Sequence, residues 1–276
     1  MLISVPTRTL NLGAPINKQH PLNRGLVSRW DVLPFGPHYG GPRLLDLMGT
    51  NHGTLTNGPT WQGANGRPGG YGSVKGTTSD PSTYVATSAP SLPTYSFGLL
   101  VYLTTSVNAG MARMQLHYVH TRADVSPFGL QFYGGAFEDQ PGLTTPTTGR
   151  WYDLLITCAG TAAGDVKIYL DGKDDTGTAT AISAPSGTTV QLGGISEAFG
   201  SQAAYCDAFR LYSRVLSASE AYASFEDLRR GSPETLNWIS TRSYPISAAG
   251  TTTRGMPFGH RSTAFAGGRT LIGNIR

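Results

Sequence analysis

Short β-prone segments cut apart by glycine- and proline-bearing turns constrain this chain more than any other feature. Val166-Lys167-Ile168-Tyr169-Leu170 alternates side chains between two faces and runs directly into Asp171-Gly172, a pair suited to a tight hairpin turn. Tyr95 to Thr104 is nearly continuous in apolar and β-prone residues and reads as a central strand,. Gly25 to Trp30, Arg113 to His120, Phe128 to Tyr133, Trp151 to Cys158, Thr189 to Leu192 and Tyr205 to Tyr212 supply the remaining strands, with a glycine-rich loop from Gly63 to Gly76. Glycine and proline make up nearly one residue in five, and charged residues only 14%. Turn punctuation at this density with so little charge predicts an all-β protein built as a two-sheet sandwich.

One helix interrupts the pattern. Ser217-Ala218-Ser219-Glu220 is a capping box, in which the serine oxygen takes the N–H of Glu220 and the glutamate reaches back to the Ser217 N–H,. Ala221, Tyr222, Phe225 and Leu228 follow at helical spacing, and Gly231 offers a terminator,. The spacing predicts a helix over 218–230.

Several classes are excluded. Hydrophobic residues at 39% and a net charge of +4 are not the composition of a disordered chain,. The chain holds only five glutamates, too few for a coiled coil,. No segment approaches the roughly 18 consecutive apolar residues of a membrane-spanning helix. The first residues lack a basic stretch followed by an apolar one, and there is no Asn-x-Ser/Thr sequon, so secretion through a signal peptide is not expected,. Cys158 and Cys206 both lie in apolar runs and read as buried free thiols, with a single bridge between neighbouring strands left open,.

Charge is segregated. Residues 1–24 carry Arg8, Lys18 and Arg24 and no acid, a charge of +3, while residues 240–276 carry five arginines and no acid, a charge of +5. Residues 25–239 therefore hold −4 of the +4 total. The reading is a body over 25–231 between an N-terminal extended arm, 1–24, and a C-terminal basic arm, 232–276. In the latter, Arg242, Arg254, Arg261 and Arg269 interleave with Tyr244, Phe258 and Phe265. Aromatic residues at such intervals suit an arm lying in a neighbour's groove; the alternative is a pair of solvated tails. Five arginines in this length is a modest density for nucleic acid, which is not an expected partner,.

Three segments resemble a known family. Gly25 to Trp30 with Leu45-Asp46-Leu47 and Asn51-His52-Gly53-Thr54-Leu55 ahead of Gly58-Pro59-Thr60-Trp61 is similar to the opening of laminin-G/pentraxin-like domains of the concanavalin A-like superfamily. Val166 to Lys173 resembles that family's central hairpin, and Asp207 to Glu220 its closing strand and helix. The resemblance covers roughly 25–230. It implies a jelly-roll β-sandwich of two curved antiparallel sheets, one short helix near the end, and in many relatives a structural calcium. The matching position for the metal is Asp207, with the Asp46 to Asn51 loop as its partner; the other reading of Asp207 is a hydrogen bond to the adjoining loop.

Glycosidases on this fold place carboxylates on alternate positions of one strand, so that acid and nucleophile share a face. Here Glu138-Asp139 are adjacent, Glu197 stands alone and Glu220 is committed to the capping box, so no enzyme is expected. His117 and His120, an odd interval apart on a strand, face opposite ways and cannot share a metal,. The expected function is a non-enzymatic structural or binding module of a large assembly. The specific expectation is a phage virion protein, such as a capsid decoration protein, with the arms fastened to other copies of the chain or to other virion proteins. The alternative is a lectin-like glycan-binding protein, calcium-dependent or not, using Trp61, Tyr71 and Tyr84, with Tyr118 and Tyr133 as further candidates.

Overall fold

The computed structural model describes residues 7–10, 15–32, 43–62, 73–75, 83–106, 108–122, 129–135, 139–178, 180–195, 204–230 and 233–241. In chain order the strands are β1 (Thr7–Leu10), β2 (Leu26–Trp30), β3 (Arg43–Leu44), β4 (Gly53–Thr56), β5 (Thr60–Gln62) and β6 (Ser73–Lys75). Next come β7 (Tyr84–Ser88), β8 (Tyr95–Leu103), β9 (Ala109–Met114), β10 (His117–Arg122), β11 (Gly129–Tyr133) and β12 (Asp139–Pro141). Then follow β13 (Trp151–Cys158), β14 (Val166–Leu170), β15 (Lys173–Asp174), β16 (Thr189–Leu192) and β17 (Ala204–Tyr212). Helix α1 (Ala218–Leu228) and strand β18 (Trp238–Thr241) close the series.

These strands form two eight-stranded sheets. Sheet I runs β12-β11-β10-β9-β16-β7-β4-β3; sheet II runs β15-β14-β13-β8-β17-β6-β5, with β2 also paired to β17. The pairings within both sheets are antiparallel. β1 and β18 form a separate two-stranded pair. The all-β sandwich expected from turn punctuation is what forms.

Strand alternation decides what lies between the sheets. From β8, Tyr95, Phe97, Leu99, Val101 and Leu103 point inward, against Met111, Val119, Leu130 and Phe132 of sheet I,. The other face of sheet II is covered in part by α1. There Leu155, Tyr169 and Tyr212 pack with Leu216 and Ala221, and also with Ile16, Leu26 and Leu236. Residues 15–24 and 233–237, placed in the arms from sequence, are thus packed on the sandwich: Ile16 bridges Leu236, and both are buried. Pro15 and Pro21 erase any periodic signal there, but a segment without period can still bury isolated apolar side chains. The arm residues Arg242, Tyr244, Arg254, Phe258, Arg261, Phe265 and Arg269 lie outside the described residues.

Burial on this second face needs polar devices. Arg210 on β17 reaches across Gly98 on β8 to pair with Asp153 on β13, and its Nη1 donates to Ser224 of α1 at 3.0 Å. A Cβ on Gly98 would stand 2.5 Å from the Arg210 Nη2. The absent side chain is therefore what lets a guanidinium lie over the middle strand. At the start of α1 the capping box is present, with Glu220 N–H donating to Ser217 Oγ at 3.2 Å and Ser217 N–H donating to Glu220 Oε2 at 2.9 Å. Arg214 grips the same carboxylate with both terminal nitrogens, at 2.9 and 2.7 Å, and holds it at a pKa of about 2. The helix stops at Leu228 with Arg229 as its C-cap.

Two other sequence expectations change. Arg113 to His120 is not one strand but the junction of β9 and β10, which turn at Gln115 with φ 61°. No glycine or asparagine marks that turn, so it carries no sequence signal. The loop from Gly63 to Gly76 contains β6, whose Val74 is fully buried. Both cysteines are free and buried. β8 separates their strands, and they meet it at Tyr95 and Val101, so they are not on neighbouring strands.

Candidate functional site

The carboxylates of the sandwich are mostly committed to its frame. Asp46 accepts from the backbone N–H of Arg29 (2.9 Å) and Met48 (3.0 Å) on Oδ1, and of Asn51 (3.0 Å) and Thr50 (3.4 Å) on Oδ2, which also takes the Thr50 hydroxyl. Asp31 pairs with Arg29 at 2.5 Å, and Asp153 with Arg210. Asp227 accepts from the Glu234 N–H and the Thr235 hydroxyl. Asp207, fully buried, accepts from the Val32 N–H at 2.7 Å.

This bears on calcium. The ion needs six to eight oxygens whose lone pairs face it. Five N–H and O–H groups already point at Asp46. Among the described residues, no cluster of three or more His, Cys, Asp or Glu side chains could hold a metal. The donor set around Asp46 and Asp207 does not fit Ca2+, and Asp207 makes the loop hydrogen bond that was its other reading.

The face of sheet I turned away from the core is different in kind. Antiparallel register aligns Tyr133 with Tyr118, Tyr118 with Arg113, Arg113 with Gln191, and Gln191 with Ala86. The rings of Tyr118 and Tyr133 stack with centroids 4.3 Å apart and planes 17° from parallel. Gln131 and His120 form the next row, and Tyr84 lies opposite Thr56. Tyr118 is only 8% exposed and His120 is buried, so Tyr133, Arg113 and Tyr84, all half-buried, are the groups an incoming molecule meets. Arg113 Nε donates to the Gln115 carbonyl at 2.8 Å, which fixes the guanidinium. Aromatic faces beside a guanidinium donor suit a hydroxyl-rich ring compound.

With this geometry in view, the family can be stated. The concanavalin A-like lectin/glucanases superfamily matches residues 76–221, just over half of the chain. The chain belongs to this superfamily. Among solved structures, Trypanosoma rangeli sialidase is similar at 13% identity and a TM-score of 0.55, over 76% of this chain and 34% of the sialidase. The same enzyme in complex with sialic acid gives 13% identity and 0.56, over 83% and 36%. A tryptophan-to-alanine mutant of HCR/D gives 12% and 0.55, over 75% and 53%. The chain spans about a third of the sialidase length, and at these identities the likeness is one of fold. A comparison with curated protein sequences finds no match.

The concanavalin A-like frame separates the residues picked out from sequence. Trp61 lies on β5 at the edge of sheet II, opposite Val74, and is half-buried against the core. Tyr84 lies on sheet I, so Trp61 and Tyr84 are not brought together; Tyr71 is outside the described residues. Tyr118 and Tyr133 do meet. His117 faces the core, where its Nδ1 meets the Tyr95 hydroxyl at 2.8 Å and burial lowers its pKa. His120 faces the other way, against Tyr118. Arg113 and Gln191 were missed, because only the register of non-local strands reveals that they share a row with the tyrosine pair.

Proposed function

We propose that this concanavalin A-like protein is a non-catalytic glycan-binding module. The observation that carries the reading is the Tyr118–Tyr133 stack in one row with Arg113 and Gln191 on the outer face of sheet I. A sugar ring needs an apolar face to lie on and a fixed donor beside it, and Tyr133 with the guanidinium of Arg113 is suited to supply both. The commitment of Asp46, Asp153, Asp207 and Asp227 to structural partners supports binding without hydrolysis. The test is a glycan array probed with wild-type protein and with Tyr133→Ala. Binding of defined glycans that is lost in the variant is expected; an array with no bound glycan overturns the reading.

A second reading is favoured by charge. The acid-free ends, at +3 and +5, flank a body of −4. Opposite charges of this kind suit ends that fasten to the bodies of neighbouring copies, as in a virion decoration protein. Light scattering on the full chain and on the triple variant Arg254→Glu, Arg261→Glu, Arg269→Glu tests it. Assembly in the wild type and monomers in the variant are expected; equal masses for the two overturn it.

A further inference from the structure

The face of sheet II that α1 leaves open carries a second row of aromatic residues. Trp151 of β13 is in register with Tyr102 of β8, and Tyr102 with Tyr205 of β17. The pairing of Cys206 with Val74 then places Lys75 of β6 beside Tyr205, and Thr60 of β5 follows. Ring centroids are 5.7 Å apart at both aromatic steps, with planes inclined by 57° and 40°. The Lys75 ammonium lies 5.0 Å from the Tyr205 ring centre. All three aromatic side chains and Lys75 are half-buried. At roughly 4.8 Å per strand the row from Trp151 to Thr60 spans about 19 Å.

The row has unspent chemistry. Among the described residues, nothing takes the Trp151 indole N–H or the hydroxyls of Tyr102 and Tyr205 in a hydrogen bond. Lys75 has no carboxylate partner among them either. At the Trp151 end a cleft of about 180 Å³ opens between the sheet and α1, lined by Leu100, Trp151, Phe225 and Leu228 together with Asp153, Asp171 and Arg229. Three apolar rings left half in water forfeit burial that a folded chain normally takes. Here each ring also carries a polar atom at its edge with no hydrogen-bond partner among the described residues.

We propose that this row is a binding platform for an anionic oligosaccharide, its sugar rings lying on Trp151, Tyr102 and Tyr205 and a carboxylate or sulfate meeting Lys75. The strand spacing is of the same order as the advance from one sugar ring to the next in an extended chain. The mutual tilt of the side-chain rings matches a chain whose successive rings are rotated and does not match one flat apolar surface. The free hydroxyls and indole N–H serve the sugar hydroxyls. Lys75, held over Tyr205 and paired to no acid among the described residues, selects for negative charge at that end, and the cleft takes the terminal sugar. This platform lies on the opposite sheet from Tyr133 and is independent of the site proposed above.

The experiment is an array of neutral and acidic oligosaccharides containing matched pairs, such as β-1,4-manno-oligosaccharide and oligomannuronate of equal length, followed by titration of the best ligand. Wild type is expected to favour acidic members and to show a change in tryptophan fluorescence on binding. Tyr205→Ala and Tyr102→Ala should each weaken binding about tenfold or more. Lys75→Gln should equalise the acidic and neutral members of a pair, and Tyr133→Ala should change neither result. Trp151 packs on Leu100 and Leu228, so Trp151→Phe, with its fold checked by thermal melting, is the variant at that position. Binding of the best acidic ligand that is lost in Tyr133→Ala but kept in Tyr205→Ala overturns the platform and leaves the sheet I site standing. No bound glycan overturns both. Concentration-dependent dimers that Tyr205→Ala abolishes, with no glycan bound, replace the platform by a protein interface.

Discussion

Gly98→Ala is a sharp test of how sheet II is held together. In most strand interiors alanine is better than glycine by roughly 0.5–1 kcal/mol, because glycine loses more freedom on folding. At this position the new Cβ would stand 2.5 Å from Arg210 Nη2 and 2.9 Å from Nε, so the guanidinium must move. The side chain is flexible, yet its end is pinned by Asp153 and Ser224, and the Arg210 and Asp153 side chains are only 1% and 2% exposed. Moving it leaves a buried carboxylate without its cation, a loss of about 3–5 kcal/mol for such pairs. The net expectation is a destabilisation of about 2–4 kcal/mol, opposite in sign to the generic effect. Urea unfolding followed by tryptophan fluorescence measures it. In the background Arg210→Met with Asp153→Leu, an apolar replacement of the pair that costs little, Gly98→Ala should become neutral or stabilising. A wild-type Gly98→Ala variant that is as stable as its parent, or more so, would refute the reasoning.

Other predictions concern single features. The folded carboxyl of Glu220, held at about 2 by Arg214 and the capping box, lies below its unfolded value of roughly 4.3. Its stabilising contribution is complete above that unfolded value and lost as pH falls toward 2,. Glu220→Gln should therefore flatten the acid limb of a stability–pH curve in that window. Gly172→Ala meets two obstacles, a φ of +74° and a Cβ that would stand 2.8 Å from the Tyr222 Cα. The dihedral alone costs about 1–2 kcal/mol, and the melting temperature should fall accordingly. Burial raises the thiol pKa of Cys158 to about 11 and that of Cys206 higher still, so a maleimide should label neither until the protein is unfolded, when both react. Millimolar calcium or a chelator should leave the melting temperature unchanged, since the carboxylate of Asp46 is already filled by donors.

Local signals were readable in the sequence, and contacts between distant strands were not. Val166 to Leu170 with Asp171-Gly172 forms β14 and its turn to β15, and Ser217 caps α1 as its spacing requires. Both depend on residues a few positions apart. The β9–β10 turn at Gln115 escaped because its positive φ is carried by a residue without the usual turn chemistry,. Tyr118 and Tyr133 were visible as aromatic residues, but their stacking is set by strand register. Trp151, Tyr102 and Tyr205 were not picked out at all. They lie on three strands separated along the chain, and each taken alone reads as an ordinary half-buried aromatic.

The pairing of β1 with β18, backed by the Ile16–Leu236 bridge and by Asn17 N–H donating to the Thr235 carbonyl at 3.0 Å, has a mechanical consequence. The polypeptide enters and leaves the sandwich at one place. Tension applied between residues 7 and 241 falls first on that short pair and its few hydrogen bonds, not on the ladders of the large sheets. Under load the module should yield at this clasp, paying out slack at both ends while the body stays folded and any ligand stays seated.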